Sequence, residues 1–425
     1  MHLLRTDSYE LVYVSGKPPP YAILSHRWES QEITFKTLDP KALRNLDSST
    51  VSKDFRASAE KIRGSCRVAR QQGFDHVWID TVCIDKSSSE ELRVALSSMF
   101  KWYREAAICH AYLNDVTFFQ IGEHYADMFC SNNESRKGQP SEWFERGWTL
   151  QELLAPRKLE FYDKSWNWIG TRDQLAPIVG KVAGISADYL RDPRDGGTGK
   201  ARFREASIAT KMSWMAGRRT TAVEDIAYSM LGIFNVDLTP RYGEGVRAFT
   251  RLQAVILLNW GTFDESLFAW ECPPDGLLRC YRNWDTIPTF KENVWGLLAP
   301  SPDCFSKSAN IVVIPHKVIQ RLGDGFIRSN HGVAVTLGIW EVKSKMFSTT
   351  KSEIALPLNC WMMRGQVREA VVLSLSRVSG TSYRRTQCTR LSYQQGAKVG
   401  NNRFGGQDQL HTVAVAIPQP QLELD

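Results

Sequence analysis

The stretch 146-RGWTLQEL-153 sets Trp148 four residues before Glu152 and leads to Pro156. At helical spacing such neighbours share a face, so ring and carboxylate stand one turn apart, with Glu145 a further turn back. Leu150, Leu153 and Leu154 mark the face that packs. Taken by itself, this helix has a plain reading: a solvated, Glu-bearing face beside a half-buried ring. The other reading is chemical, a carboxylate placed to act on a ligand.

Three further groups could join it. Ser25, His26, Arg27 and Trp28 end the apolar run 18-PPPYAILSHRW-28, where the tip of a buried strand is expected. Asp80 follows an apolar VWI run, so it lies at a strand end or is buried with a partner, because an unpaired buried carboxylate is costly. Each admits a structural reading too, His26 and Arg27 as surface loop residues and Asp80 as an acceptor for a neighbouring loop. Cys83 with Asp80 and His26 or His76 raises a thiol nucleophile, against which stands the commoner role of a buried free cysteine. Glu91 is explained as the third member of a capping box begun by Ser88.

Parallel strands would position these groups. Apolar runs at 18–28, 74–85, 107–116 and 158–170 read as four strands. The helical patterns 54–73, 88–105 and 142–155 lie between them. Strand and helix alternate, which predicts right-handed crossovers and a mostly parallel sheet covered on both faces. In such sheets ligands bind beyond the carboxyl ends of the strands, where Ser25 to Trp28, Asp80 and Cys83 fall. Residues 118–141 are polar and irregular, a surface insertion or lid. Three domains are expected: an α/β domain over 1–174, a helical connector over 175–271 and a β-rich domain over 272–425. In the connector, Thr221 and Glu224 form a second candidate capping box.

Composition narrows the function classes. The chain has 425 residues, 43% hydrophobic, and a net charge of +7 without long like-charge runs, which does not argue for nucleic acid. Nine cysteines are scattered with no CxxC pair and no metal-ligand spacing, as expected of reduced thiols in a cytoplasmic protein. No leader-like start and no apolar run near the ~20 residues of a membrane span is seen. The run 196-GGTGK-200 lacks the first glycine and the hydroxyl of a phosphate loop, and no GxGxxG follows a strand. No cofactor is called for, and carboxylates, His26, Arg27 and aromatics remain for chemistry.

Four ordered blocks, 21-YAILSHRW-28, 78-WIDTVCIDKSSSEE-91 with 99-MFKWYREA-106, 146-RGWTLQELLAP-156 and 211-KMSWMAGRRTTAVEDIAYSMLGIF-234, resemble the fungal heterokaryon-incompatibility (HET) domain and the helical segment that follows it. The resemblance covers about the first 270 residues. It departs at Glu29, where the family often has glycine. HET domains are in turn similar to Toll/interleukin-1 receptor (TIR) domains, with a flavodoxin-like fold, and RGWTLQEL resembles the helix bearing the glutamate of NAD-cleaving TIR members. That resemblance implies a cell-death effector with Glu152 as catalytic carboxylate and NAD as substrate. Ser25, His26, Arg27, Trp28, Asp80 and Trp148 would line the nucleotide site, with Trp148 or Trp28 stacking on a ring and Arg27 pairing with a phosphate oxygen. It further implies self-association and an incompatibility partner. The alternative is a non-enzymatic death-signalling module in which the same helix mediates contact between proteins. Hydrolysis through Cys83 is a third.

Overall fold

The structure is a computed structural model. It describes residues 1–29, 31–45, 53–118, 128–191, 203–259, 264–273, 279–281, 294–295, 297–313, 325–329, 332–339, 353–379, 382–386, 391–395 and 411–415. The chain forms two compact units, Met1–Arg204 with Tyr228–Arg241, and Glu205–Ala227 with Tyr242–Asp425.

In the first unit the strands are β1 (His2–Arg5), β2 (Leu11–Tyr13), β3 (Ala22–His26), β4 (His76–Trp78), β5 (Ile108–Tyr112), β6 (Leu159–Tyr162) and β7 (Trp168–Thr171). They make one sheet in the order β2-β1-β4-β3-β5-β6-β7. The four central strands are parallel, and β1, β2 and β7 join antiparallel at the edges. Counted along the parallel strands alone, the order is 2-1-3-4, the flavodoxin-like arrangement, and the direction of strand addition reverses between β3 and β5. Residues 22–26 of β3 and 108–112 of β5 are all buried, as strands covered on both faces must be.

The helices are α1 (Pro40–Arg44), α2 (Lys53–Gln71), α3 (Ser89–Glu105) and α4 (Trp148–Leu154), followed by α5 (Ala176–Ala183) and α6 (Ala187–Leu190). Right-handed crossovers put α2, which leads from β3 to β4, on one face of the sheet. They put α3 and α4, which run the opposite way across it, on the other. Next in chain order come α7 (Ile208–Ser213), α8 (Asp225–Tyr228), α9 (Leu231–Phe234) and α10 (Arg247–Asn259). Helix α9 packs on α3 at Gly232, where an added Cβ would come within 2.2 Å of Phe100.

Several local expectations change. The run 158–170 is two antiparallel strands, turned by Asp163, whose carboxylate accepts the amides of Ser165 and Asn167 at 2.8 Å each. The run 74–85 is a strand only to Trp78. Beyond it Cys83 N donates to Ile79 O at 2.8 Å, closing a turn that carries Asp80. The amino-terminal strands β1 and β2 were not expected at all. Ser88 caps α3 through the Glu91 amide at 3.2 Å, but the Glu91 carboxylate reaches Asp85 N at 3.1 Å, so only half the box forms.

In the second unit Glu224 is not a capping residue. Its carboxylate accepts the amides of Gly243 and Gly245 at 2.7 and 2.9 Å. The β-rich C-terminal expectation is met by a nine-stranded, mostly antiparallel sheet, whose longest pair is Glu353–Arg364 with Val367–Ser379. The run 196–200 lies outside the described residues.

Candidate functional site

The segment before α4 is not the continuous helix that its periodicity predicts. Residues Glu142–Glu145 form one 3-10 turn capped by Ser141, Arg146 is extended, and α4 starts afresh at Trp148. The Thr149 hydroxyl explains the break: it donates to the carbonyls of Trp143 at 2.5 Å and Arg146 at 2.9 Å, giving them partners outside a helix ladder. At the other end the buried Arg172 guanidinium donates to the carbonyls of Leu153 and Pro156, both at 2.9 Å. A seven-residue helix is thus held at both ends.

Every residue of α4 from Thr149 to Leu154 is buried, including Glu152, which is 7% exposed. The solvated reading of Glu152 is therefore excluded. Its Oε2 accepts from Ser25 Oγ at 2.5 Å, and Ser25 Oγ in turn accepts from Trp143 Nε1 at 2.9 Å. Burial pushes the Glu152 carboxyl up to about 8, with the Asp80 charge adding, against the opposing Ser25 and Tyr103 hydrogen bonds and Arg146 charge. Near neutrality the group is mostly a neutral acid. Tyr103 faces it from α3, with its hydroxyl donating to Leu24 O at 2.9 Å.

Beside this pair, His26 Nε2 lies 2.9 Å from Asp80 Oδ1, and its Nδ1 lies 3.2 Å from Arg27 O. Both ring nitrogens face oxygen acceptors. The other Asp80 oxygen accepts from Trp28 Nε1 at 2.7 Å. Burial works against ionisation of Asp80, but the hydrogen bonds from His26 and Trp28 and the charge of Lys86 outweigh it and hold the carboxyl below the usual carboxylate range. Trp28 is 36% exposed. Lys86 Nζ sits 3.4 Å from its ring centroid and the Arg146 guanidinium 5.9 Å away, so two cations converge on one indole ring. Arg27 is ion-paired with Glu142 at 2.6 Å. Behind His26, Glu32 pairs with the buried Lys61 and accepts from Ser58 at 2.8 Å. Burial opposes ionisation of Glu32, yet the charges of His26 and Lys61 hold it low.

Of the residues singled out in the sequence, the buried pair Ser25–Glu152 and the pair of buried His26 with half-buried Asp80 lie side by side at the carboxyl ends of β3 and β4. Trp28 and Arg27 stand at their rim, and Trp148 is half-buried one turn before Glu152. Sequence reasoning missed Trp143, Tyr103, Lys86, Arg146 and the Glu32–Lys61 pair. Lys86 was readable, since it closes the polar end of the strand run 74–85, whereas Trp143 was hidden inside a presumed helix. Cys83 is no nucleophile. Its sulfur contacts only backbone groups, Ile79 N at 3.4 Å and Val77 O at 4.0 Å, and burial pushes the thiol up to about 12. Among the described residues no group of three or more His, Cys, Asp or Glu side chains could hold a metal ion, and no helix is long and apolar enough to cross a membrane.

Comparisons with known proteins bear on the segment that carries β3 and β4. Residues 21–125, which carry β3, α2, β4, α3 and β5, match the family model described as heterokaryon incompatibility protein (HET). Residues 247–361 match a domain of unknown function, DUF8212. The chain is 40% identical over 253 residues to vegetative incompatibility protein HET-E-1 of Podospora anserina. That match covers 57% of this chain and 16% of the relative. No solved structure matches at a significant level. Ser25, His26, Trp28 and Asp80 thus lie inside the segment, residues 21–125, that is similar to the heterokaryon-incompatibility family.

Proposed function

We propose that this chain is a cell-death effector of fungal heterokaryon incompatibility whose first unit cleaves NAD at the bond between nicotinamide and ribose, with Glu152 as the catalytic carboxylate. The observation that carries the reading is the state of Glu152: a carboxyl buried at the switch point of a flavodoxin-like sheet and pushed up to about 8. The likeness of RGWTLQEL to the glutamate-bearing helix of NAD-cleaving TIR domains supports it.

The chemistry follows from the charge. In the empty site Glu152 is neutral, and a bound pyridinium cation lowers its pKa and drives off the proton. The carboxylate then holds the ribose hydroxyls. As the C1′–N1 bond breaks, its electron pair leaves with neutral nicotinamide, and the carboxylate stabilises the oxocarbenium-like ribosyl cation. Water captures that cation and releases a proton, giving nicotinamide and ADP-ribose. Nicotinamide leaves without protonation, so one carboxylate suffices. Trp28 and its cations flank the same strand ends, where a ring and a phosphate would lie.

The adaptor reading needs an exposed α4, and the burial of residues 149–154 within the first unit leaves that helix little face to offer. Self-association and an incompatibility partner belong to the proposal, on the strength of the family likeness. The test is to incubate the purified chain with NAD and follow nicotinamide release over a range of protein concentrations. Wild type turns over and Glu152→Gln does not. Absence of turnover at every concentration, with cell death still produced on expression, would replace the enzyme by the adaptor.

A further inference from the structure

We infer that Trp143 is a positioning residue for Glu152, its indole N–H turning the Ser25 hydroxyl into a committed donor to the carboxylate. The inference rests on the reading of Glu152 as catalytic, although its central measurement does not need turnover.

Hydrogen-bond inventory carries the argument. An indole N–H can only donate, and a serine hydroxyl has one proton and two lone pairs. Trp143 Nε1 donates to Ser25 Oγ at 2.9 Å, and Ser25 Oγ lies 2.5 Å from Glu152 Oε2. Ser25 and Trp143 are buried to 0% and 1% exposure, which keeps this exchange away from bulk solvent. With a lone pair engaged by the indole, the hydroxyl is polarised toward donating, and the carboxyl oxygen is the acceptor in reach. Tyr103 also hydrogen-bonds the carboxyl from α3, but its hydroxyl donates to Leu24 O at 2.9 Å, so Ser25 is the hydroxyl that an indole donor orients toward Glu152. The relay thus favours the ionised acid in a place where burial favours the neutral one.

The indole is fixed for this role. Its ring packs edge-on against Phe144 and Phe161, with centroids 5.0 and 5.9 Å apart. Its backbone is held by the Ser141 cap and by the Thr149 hydroxyl, which donates to Trp143 O. The other groups that face Glu152 are Asp80 from the turn after β4, Arg146 from the segment before α4, Tyr103 from α3 and Cys109 from β5. Of these, Asp80 opposes ionisation, and the Arg146 charge and the Tyr103 hydrogen bond favour it. None of them substitutes for the Trp143 donor, because none feeds the Ser25 lone pair.

The experiment is a carbon-13 NMR titration of the Glu152 carboxyl in the full chain, alongside the pH profile of nicotinamide release, for wild type, Trp143→Phe, Ser25→Ala and Ser25→Thr. Trp143→Phe moves the Glu152 midpoint about one unit alkaline, as expected for loss of one hydrogen bond to the charged form. Release at pH 7 then falls about tenfold and recovers as pH rises. Ser25→Ala shifts at least as far with the indole intact, and Ser25→Thr returns toward wild type. An unchanged midpoint in Trp143→Phe and Ser25→Ala overturns the inference, whether or not NAD is cleaved. So does a uniform loss of activity at all pH values, which marks a merely structural tryptophan. A shifted midpoint without any turnover keeps the relay and removes the NAD reading.

Discussion

Glu152 in the first unit and Asp303 in the second are both buried carboxyls, and their partners differ in kind. Asp303 accepts the backbone amides of Gly217 at 2.7 Å and Cys280 at 2.8 Å, and the Ser301 hydroxyl at 3.0 Å. Three chain segments are tied together through one side chain. Glu152 has no main-chain donor among these contacts, only side-chain hydroxyls, with Ser25 on its Oε2 at 2.5 Å, and these do not offset its burial, so its carboxyl rises to about 8. A carboxylate saturated by main-chain donors is a fastener, because removing it orphans groups that have no other use. One held only by side-chain hydroxyls can change its protonation when a charged ligand arrives.

The sharpest way to break this contrast is Glu152→Gln. It lowers nicotinamide release by about 10²–10³-fold, the scale of losing one preorganised electrostatic group, while stability at pH 7 changes by about 1 kcal/mol or less. Product analysis and chemical denaturation of the same preparations check both halves. Asp303→Ala reverses the pattern. It destabilises the second unit by about 3 kcal/mol by leaving buried donors unpaired, and molecules that remain folded release nicotinamide at the wild-type rate.

Proton linkage gives Glu152 a further signature. The folded-state pKa of Glu152 is raised from 4.5 to about 8, so between those values the folded chain holds a proton that the unfolded chain has lost. The associated stabilisation is complete below pH 4.5 and disappears as pH rises through about 8. Wild type should therefore lose stability relative to Glu152→Gln across pH 5 to 9, by about 4 kcal/mol, in denaturant midpoints measured at each pH. Over the same range kcat/KM should climb and level off above about 8, because free enzyme must yield that proton. The smallest effect is expected of Cys83→Ala. A thiol pushed up to about 12 supplies no nucleophile, so release is unchanged and the small cavity costs about 1 kcal/mol.

Much of the first unit was legible because a buried parallel strand is mostly apolar, and 22-AIL-24 and 108-ICHAY-112, His110 apart, are. Polar residues that end such runs, Ser25, His26 and Asp80, could be placed at the carboxyl edge on that ground alone. The edges were less legible. Strands β1 and β2 are four and three residues long, too short for a period to stand out, and Asp163 turned an apparent single strand into a hairpin. Capping patterns misled where tertiary acceptors competed, as when Glu224 took the amides of Gly243 and Gly245.

The residue types at the site were set by the sequence: a carboxylate and a tryptophan at helical spacing, a serine and a histidine at a strand end, an aspartate after an apolar run. Tertiary structure decided what each of them is. Periodicity records which positions repeat on a face, and it cannot record that Thr149 would take two carbonyls, shorten the helix and leave Trp143 aimed at Ser25. Nor can it set the charge of Glu152. That depends on desolvation and on the neighbours Ser25, Asp80 and Arg146, which only folding brings within reach.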